Sequence, residues 1–216
     1  GQSLVELPHK HIVKTCAFSP NSQRLATGGK EGLLRVYVLK SVLNKSTAAE
    51  TQTKLAAAIT KVCWMDDATI LAGMANGHIA MVDVASGNLQ HTFVAVDGAE
   101  IRDMEVSRDG KILSSAAGTK VTFFNIESKV MLHQWPMPIH FRDEGGVTLH
   151  PSGTKFVAGG SDLWVRVFNL ATGEELECHK GHHGPIRCVR YSPDGSIYAS
   201  GSEDGTIRLW KTDPSN

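Results

Sequence analysis

The stretch from Gly181 to Trp210, GHHGPIRCVRYSPDGSIYASGSEDGTIRLW, lies over PHKHIVKTCAFSPNSQRLATGGKEGLLRVY (Pro8 to Tyr37) at an offset of 173 residues and without a gap. His9 falls on His182, Thr27 on Ser200, Glu31 on Asp204 and Tyr37 on Trp210. Three weaker copies lie between, closing at Val82, Phe124 and Phe168, and the middle one is one residue short near Gly118. The closing positions 37, 82, 124, 168 and 210 are thus 45, 42, 44 and 42 residues apart. A period of this length means one supersecondary unit per repeat, each burying its apolar face against the next.

Every unit has the same local grammar: an apolar-alternating run, a turn, a short run of small residues, a second turn, and another alternating run. Alternation at period two is the pattern of a half-buried strand. SPDG (Ser192 to Gly195) and EDG (Glu203 to Gly205) are tight turns, because Gly accepts positive φ and Asp bonds its own backbone. Four short strands in about 40–45 residues predict one blade of a β-propeller. The fold class is therefore all-β, with repeat units at about 8–37, 55–82, 97–124, 140–168 and 181–210. Residues 2–7 (QSLVEL) read as the outer strand of a flanking blade, so chain 1–216 is a single propeller domain or a fragment of one. TAAETQTKLAAA, from Thr47, reads as a longer loop entering a strand, and residues 40–53 are the main insertion.

Charge and cysteine usage narrow the function classes. Twenty-two basic side chains meet 22 acidic ones and no Lys/Arg run occurs, so no direct nucleic-acid partner is expected. There is no run of 18 apolar residues, hence no membrane-spanning helix and no membrane partner in the reading. Cys16, Cys63, Cys178 and Cys188 form no CxxC pair, which points to a reducing compartment: the cytoplasm, with the nucleus as a second location. The chain begins with Gly1, and residues upstream of it are expected. CHKGHHG (Cys178 to Gly184) has one Cys and three His, yet metal ligands come as spaced pairs from two elements and no second cluster stands elsewhere. No metal site is predicted. ATGGKEG, AGGSD and SGSEDG match neither GxxxxGK[ST] nor GxGxxG between strand and helix. No cofactor and no small-molecule substrate is expected.

His182, Ser200 and Asp204 admit two readings. They could be the trio of a hydrolase. They could also belong to a buried relay with Trp210, since an indole N–H only donates, hydroxyl and imidazole do both, and a carboxylate only accepts. Trp210 to Ser200 to His182 to Asp204 would then satisfy each group in turn. His9, Thr27, Glu31 and Tyr37 repeat the spacing with altered identities, which favours the structural reading, because a nucleophilic apparatus is not expected twice at blade period. The middle units lack the hydroxyl (Ala72, Ala158) and the indole, so they should lean on apolar packing and open more easily.

Gly181-His182 opening a unit and Trp210 closing it resemble the WD-repeat family. In that family the His, Ser/Thr, Asp and Trp form a hydrogen-bonded set inside a blade, which the resemblance carries onto His182, Ser200, Asp204 and Trp210. Trp210 is followed by Lys211, only the Val82 unit keeps the namesake Asp (Asp83), and no unit reads WDxR, which argues against a ubiquitin-ligase receptor. HKHIVKT (9–15), GTKVTFF (118–124) and the segment 173–210 resemble one adaptor branch of the family. That likeness implies a seven-bladed ring with about two blades preceding this chain; closure as five blades is the alternative. It also implies a non-enzymatic scaffold in the survival-of-motor-neuron assembly that builds spliceosomal ribonucleoproteins, with ties to receptor serine/threonine kinase signalling. The alternative is the propeller subunit of eukaryotic initiation factor three. For partner contact the sequence nominates Trp135, Met137 and Phe141 in HQWPMPIHFRDEGG (His133 to Gly146), where the chain passes between blades, and second the loop Lys40–Glu50.

Overall fold

The alternating runs form strands, and their antiparallel ladders group by repeat. A computed structural model describes residues 3–141 and 145–212. It contains eighteen strands and one short helix in these residues, arranged in five separate antiparallel sheets of the WD β-propeller type. The chain divides into two compact units, Gly1–Ile101 and Arg102–Asn216.

In the first unit, β1 (Val13–Phe18), β2 (Arg24–Gly29), β3 (Leu33–Val38) and β4 (Thr51–Lys54) form one sheet in chain order. β5 (Ile59–Trp64), β6 (Thr69–Met74), β7 (His78–Asp83) and β8 (Leu89–Val94) form the next. Between the sheets lies a core that includes Ala26, Leu34, Val36, Ile59, Ile70 and Ala80. Trp64 Nε1 donates to the Ala17 carbonyl at 2.9 Å, stitching β5 to β1. The insertion holds a feature not read from the sequence: a five-residue helix, α1 (Leu39–Leu43), which buries Val42. The strand expected after it is β4.

In the second unit, β9 (Ile101–Val106), β10 (Ile112–Asn125) and β11 (Val130–Phe141) form the third sheet. The residue missing near Gly118 has a visible effect, because β10 carries both middle rows of its blade. Ile126 N–H donates to Lys111 O at 2.9 Å and Ser115 Oγ to Thr122 O at 3.4 Å, so β10 doubles back at Gly118–Thr119. Gly118 has φ +57°, which such a two-residue turn requires. β12 (Gly146–Leu149), β13 (Lys155–Gly159), β14 (Trp164–Asn169) and β15 (Glu175–Lys180) form the fourth sheet; β16 (Ile186–Tyr191), β17 (Ile197–Ser202) and β18 (Ile207–Lys211) form the last. Phe123, Phe141, Val147 and Phe156 pack the third and fourth sheets together, and Val157, Val165, Ile186 and Tyr198 the fourth and last. A Cβ on Gly159 would stand 2.8 Å from Ile186, so these two sheets meet where only glycine fits.

Ser3–Leu7 form no strand, and Gln2 lies outside the described residues. A strand exists only where a sheet edge supplies its hydrogen-bond partners, and the described residues show this segment on no edge. The last sheet correspondingly has three strands, with β18 at its border.

Candidate functional site

β17 delivers Ser200, β18 delivers Trp210, the turn between them holds Asp204, and His182 arrives from the segment before β16. The four side chains meet. Trp210 Nε1 donates to Ser200 Oγ at 2.8 Å, Ser200 Oγ lies 2.8 Å from His182 Nε2, and His182 Nδ1 lies 2.9 Å from Asp204 Oδ2. Ser200 and the His182 side chain are completely buried. One proton arrangement satisfies every member: Ser200 accepts from the indole and donates to Nε2, and Nδ1–H donates to Asp204. Asp204 also takes the His183 amide at 2.9 Å, the Thr206 amide at 2.9 Å and the Thr206 hydroxyl at 2.7 Å. The His183 amide first, then the Thr206 hydroxyl, hold its carboxyl well below the usual carboxylate range. Chemically this is a closed circuit. A nucleophile needs a free hydroxyl beside a reachable carbonyl, whereas Ser200 is committed on both sides and unexposed.

The first sheet keeps only part of the pattern. His9 Nε2 lies 2.9 Å from Thr27 Oγ1, but Nδ1 turns to the Leu7 carbonyl at 2.9 Å and does not engage Glu31. Glu31 instead accepts the Lys10 and His11 amides and pairs with Arg35 Nη2 at 2.6 Å. Arg35 first, and the two amides after it, lower its carboxyl to about 2. Tyr37, 2% exposed, lies with its ring 6.4 Å from that of His9. The expected copy of the relay is therefore broken at its acid, because Glu is one methylene longer than Asp and an arginine four residues on draws it away. Arg166 pairs with Asp162 at the same spacing. The same acid-to-Arg spacing recurs at 204/208, where Asp204 stays in the relay, so spacing alone does not set this contact.

The nominated contact residues are packed, not presented. Met137 and Phe141 are 6% and 1% exposed within the core of the third and fourth sheets. Trp135 is half-buried, donates Nε1–H to Leu170 O at 2.9 Å and covers Gly173. The reason is that β11 runs on to Phe141, so alternate residues face inward where a surface linker was expected. Arg142, Asp143 and Glu144 of that segment lie outside the described residues. The second nominee, Lys40–Glu50, stays mostly exposed, with Glu50 paired to Arg24 at 2.7 Å.

Among the described residues no group of three or more His, Cys, Asp or Glu is placed to hold a metal ion. In CHKGHHG, His179 sits 3.0 Å from Glu177 and stacks on Trp210, while His182 is inside the relay. Sequence reasoning missed one further cluster. Arg190 on β16 grips Asp103 on β9 through Nη1 and Nη2 at 2.7 and 2.8 Å, and Asp103 also takes the Val147 amide of β12 at 3.1 Å. Asp103 is 2% exposed. Three first strands are tied at one carboxylate, and with its partners 44 and 87 residues away no local signal could reveal it.

The family described as WD domain, G-beta repeat, matches residues 1–37 and 173–211. The serine-threonine kinase receptor-associated protein of Dictyostelium discoideum is 40% identical over 211 residues, covering 98% of this chain and 70% of that protein. The human protein of the same name is 38% identical over 219 residues, 98% of this chain and 58% of its own length. Eukaryotic translation initiation factor 3 subunit I of Drosophila ananassae is 30% identical over 232 residues, 97% of this chain and 71% of that protein.

Proposed function

This chain belongs to the WD-repeat family, and we propose that it is a non-enzymatic scaffold on which other proteins dock, as the name of its serine-threonine kinase receptor-associated relatives conveys. The observation that carries the reading is Ser200: completely buried, accepting from Trp210 and bonded to His182, it is a structural hydroxyl. Fold alone names no partner. The finer reading is an adaptor in the survival-of-motor-neuron assembly, linked to receptor serine/threonine kinases and working in the cytoplasm and nucleus. It would form a single propeller domain within a seven-bladed ring. Its route to RNA would run through protein partners, in keeping with 22 basic against 22 acidic residues.

Initiation factor 3 is the second reading, and 30% identity against 40% favours the first. Affinity purification of the protein from its own cells separates them. Ribonucleoprotein-assembly subunits are expected, and recovery of initiation factor 3 in their place overturns the adaptor reading. Ser200→Ala addresses the hydrolase alternative, because a scaffold loses thermal stability whereas a hydrolase keeps its fold and loses turnover. Labelling of Ser200 by a serine-reactive phosphonate would overturn the non-enzymatic reading.

A further inference from the structure

One turn of the fourth sheet departs from its copies in the other repeats. Five residues before the closing position stand Gly32, Gly77 and Gly205, with φ of +64°, +84° and +80°. In the fourth sheet that position is Leu163, with φ +70°. A side chain in this left-handed region is strained where glycine is not. Leu163 is half-buried, not sealed in the core. Beside it, at the start of β14, stands Trp164, the exception among four tryptophans. Trp64, Trp135 and Trp210 donate their indole N–H to Ala17 O, Leu170 O and Ser200 Oγ. Trp164 Nε1–H has no acceptor among the described residues, and because the ring is half-buried the group stays within reach of solvent.

Lys180 of β15 lies opposite Trp164 in the ladder and holds its Nζ 4.1 Å from the centre of the ring. It is exposed and makes no ion pair among the described residues. The neighbouring carboxylates are engaged elsewhere: Arg166, 5.0 Å from the same ring, pairs with both Asp162 and Glu175. The two unpartnered groups are therefore an indole N–H and an ammonium, and each can only donate. A carboxylate, which only accepts, answers both at once through its two oxygens. A nucleic-acid base would need the face of the ring, where Lys180 and Arg166 already lie. Leu163 supplies apolar contact at the same turn.

We propose that Leu163, Trp164 and Lys180 form a docking point for an acidic segment of a partner protein. One carboxylate of that segment receives Trp164 Nε1–H and Lys180 Nζ, and an apolar residue beside the acid lies on Leu163. That the ligand is a protein rests on the scaffold reading; the carboxylate chemistry does not. The test is an NMR titration of the whole ¹⁵N-labelled protein with the capped peptide Ala-Leu-Glu-Glu-Leu-Ala, beside its Gln-for-Glu counterpart and hexauridylate. The indole N–H signal that Trp164→Phe removes should shift saturably while those of Trp64, Trp135 and Trp210 stay in place. Binding should weaken at least about tenfold for the Gln peptide and for Lys180→Gln, as loss of one charged hydrogen bond implies. Leu163→Gly restores the residue of the other repeats. It should hold or raise the melting temperature, since the strain is gone, yet weaken binding about fivefold, as loss of one or two buried methylenes implies. An unmoved Trp164 indole, an equal response to the Gln peptide, full binding by Lys180→Gln or Leu163→Gly, or tighter binding of hexauridylate than of the peptide overturns the proposal. If the titration fails while partners are still recovered from cells, the docking point is wrong and the scaffold stands. If the peptide binds as expected but no partner is recovered, the scaffold reading fails and the carboxylate site stands.

Discussion

Ser200 is the residue on which most of the last sheet depends, since it accepts from Trp210 and bonds His182 in full burial. Ser200→Ala leaves both neighbours short of a partner, and an orphaned buried polar group costs about 1–3 kcal/mol. At this chain length each kcal/mol lowers the melting temperature by about 2–4 °C, so calorimetry should show a clear fall. Thr27→Ala should cost less, because His9 remains partly exposed and keeps its bond to Leu7. Glu31 gives a pH-dependent counterpart. Its pKa falls from 4.5 to about 2 on folding, so its contribution is complete above pH 4.5 and is lost as pH drops toward 2. Glu31→Gln should flatten that part of the stability curve, read as the denaturant midpoint against pH. The His, Ser, Asp and Trp were legible because their spacing fixes strand register and their donor and acceptor types interlock. The fate of Glu31 was not, since it turns on a competing arginine whose direction only packing sets.

At the scale of the element, the blades without a relay compensate by burial. Ile70, Leu71 and Ala72 on β6 and Phe156, Val157 and Ala158 on β13 are completely buried, whereas Ile207 and Leu209 on β18 are 78% and 68% exposed. The expectation that the middle blades open first therefore shifts. Amide exchange should be fastest in β18, an unpaired edge, and slow in β6 and β13; faster exchange in β13 than in β18 would refute this. Sheet-to-sheet contact makes a separate demand. Gly159→Ala places a methyl 2.8 Å from Ile186, and overpacking of this kind costs about 1–3 kcal/mol, measurable by urea unfolding. Strand number and order were readable from alternation and turn chemistry. The doubled β10, the continuous β11 and helix α1 were not, because each depends on where a neighbouring sheet offers partners.

For the molecule as a whole, the exposed border of the last sheet is the feature with most consequence. A border strand paired on one side only among the described residues, with outward Ile207 and Leu209, is a template for further strand pairing. These 216 residues should self-associate with rising concentration, and Ile207→Lys with Leu209→Lys should suppress this in sedimentation velocity without a large change in melting temperature. Unchanged association in the double variant would show that another surface is responsible. The repeat period, the strand alternation, the turn residues and the relay chemistry were determined by the sequence alone, because each is a local rule acting within about 45 residues. Tertiary structure alone decided that Met137 and Phe141 are core and that Asp103 answers to Arg190. Those outcomes join residues from different repeats, and only the packing of one sheet on the next sets such distances.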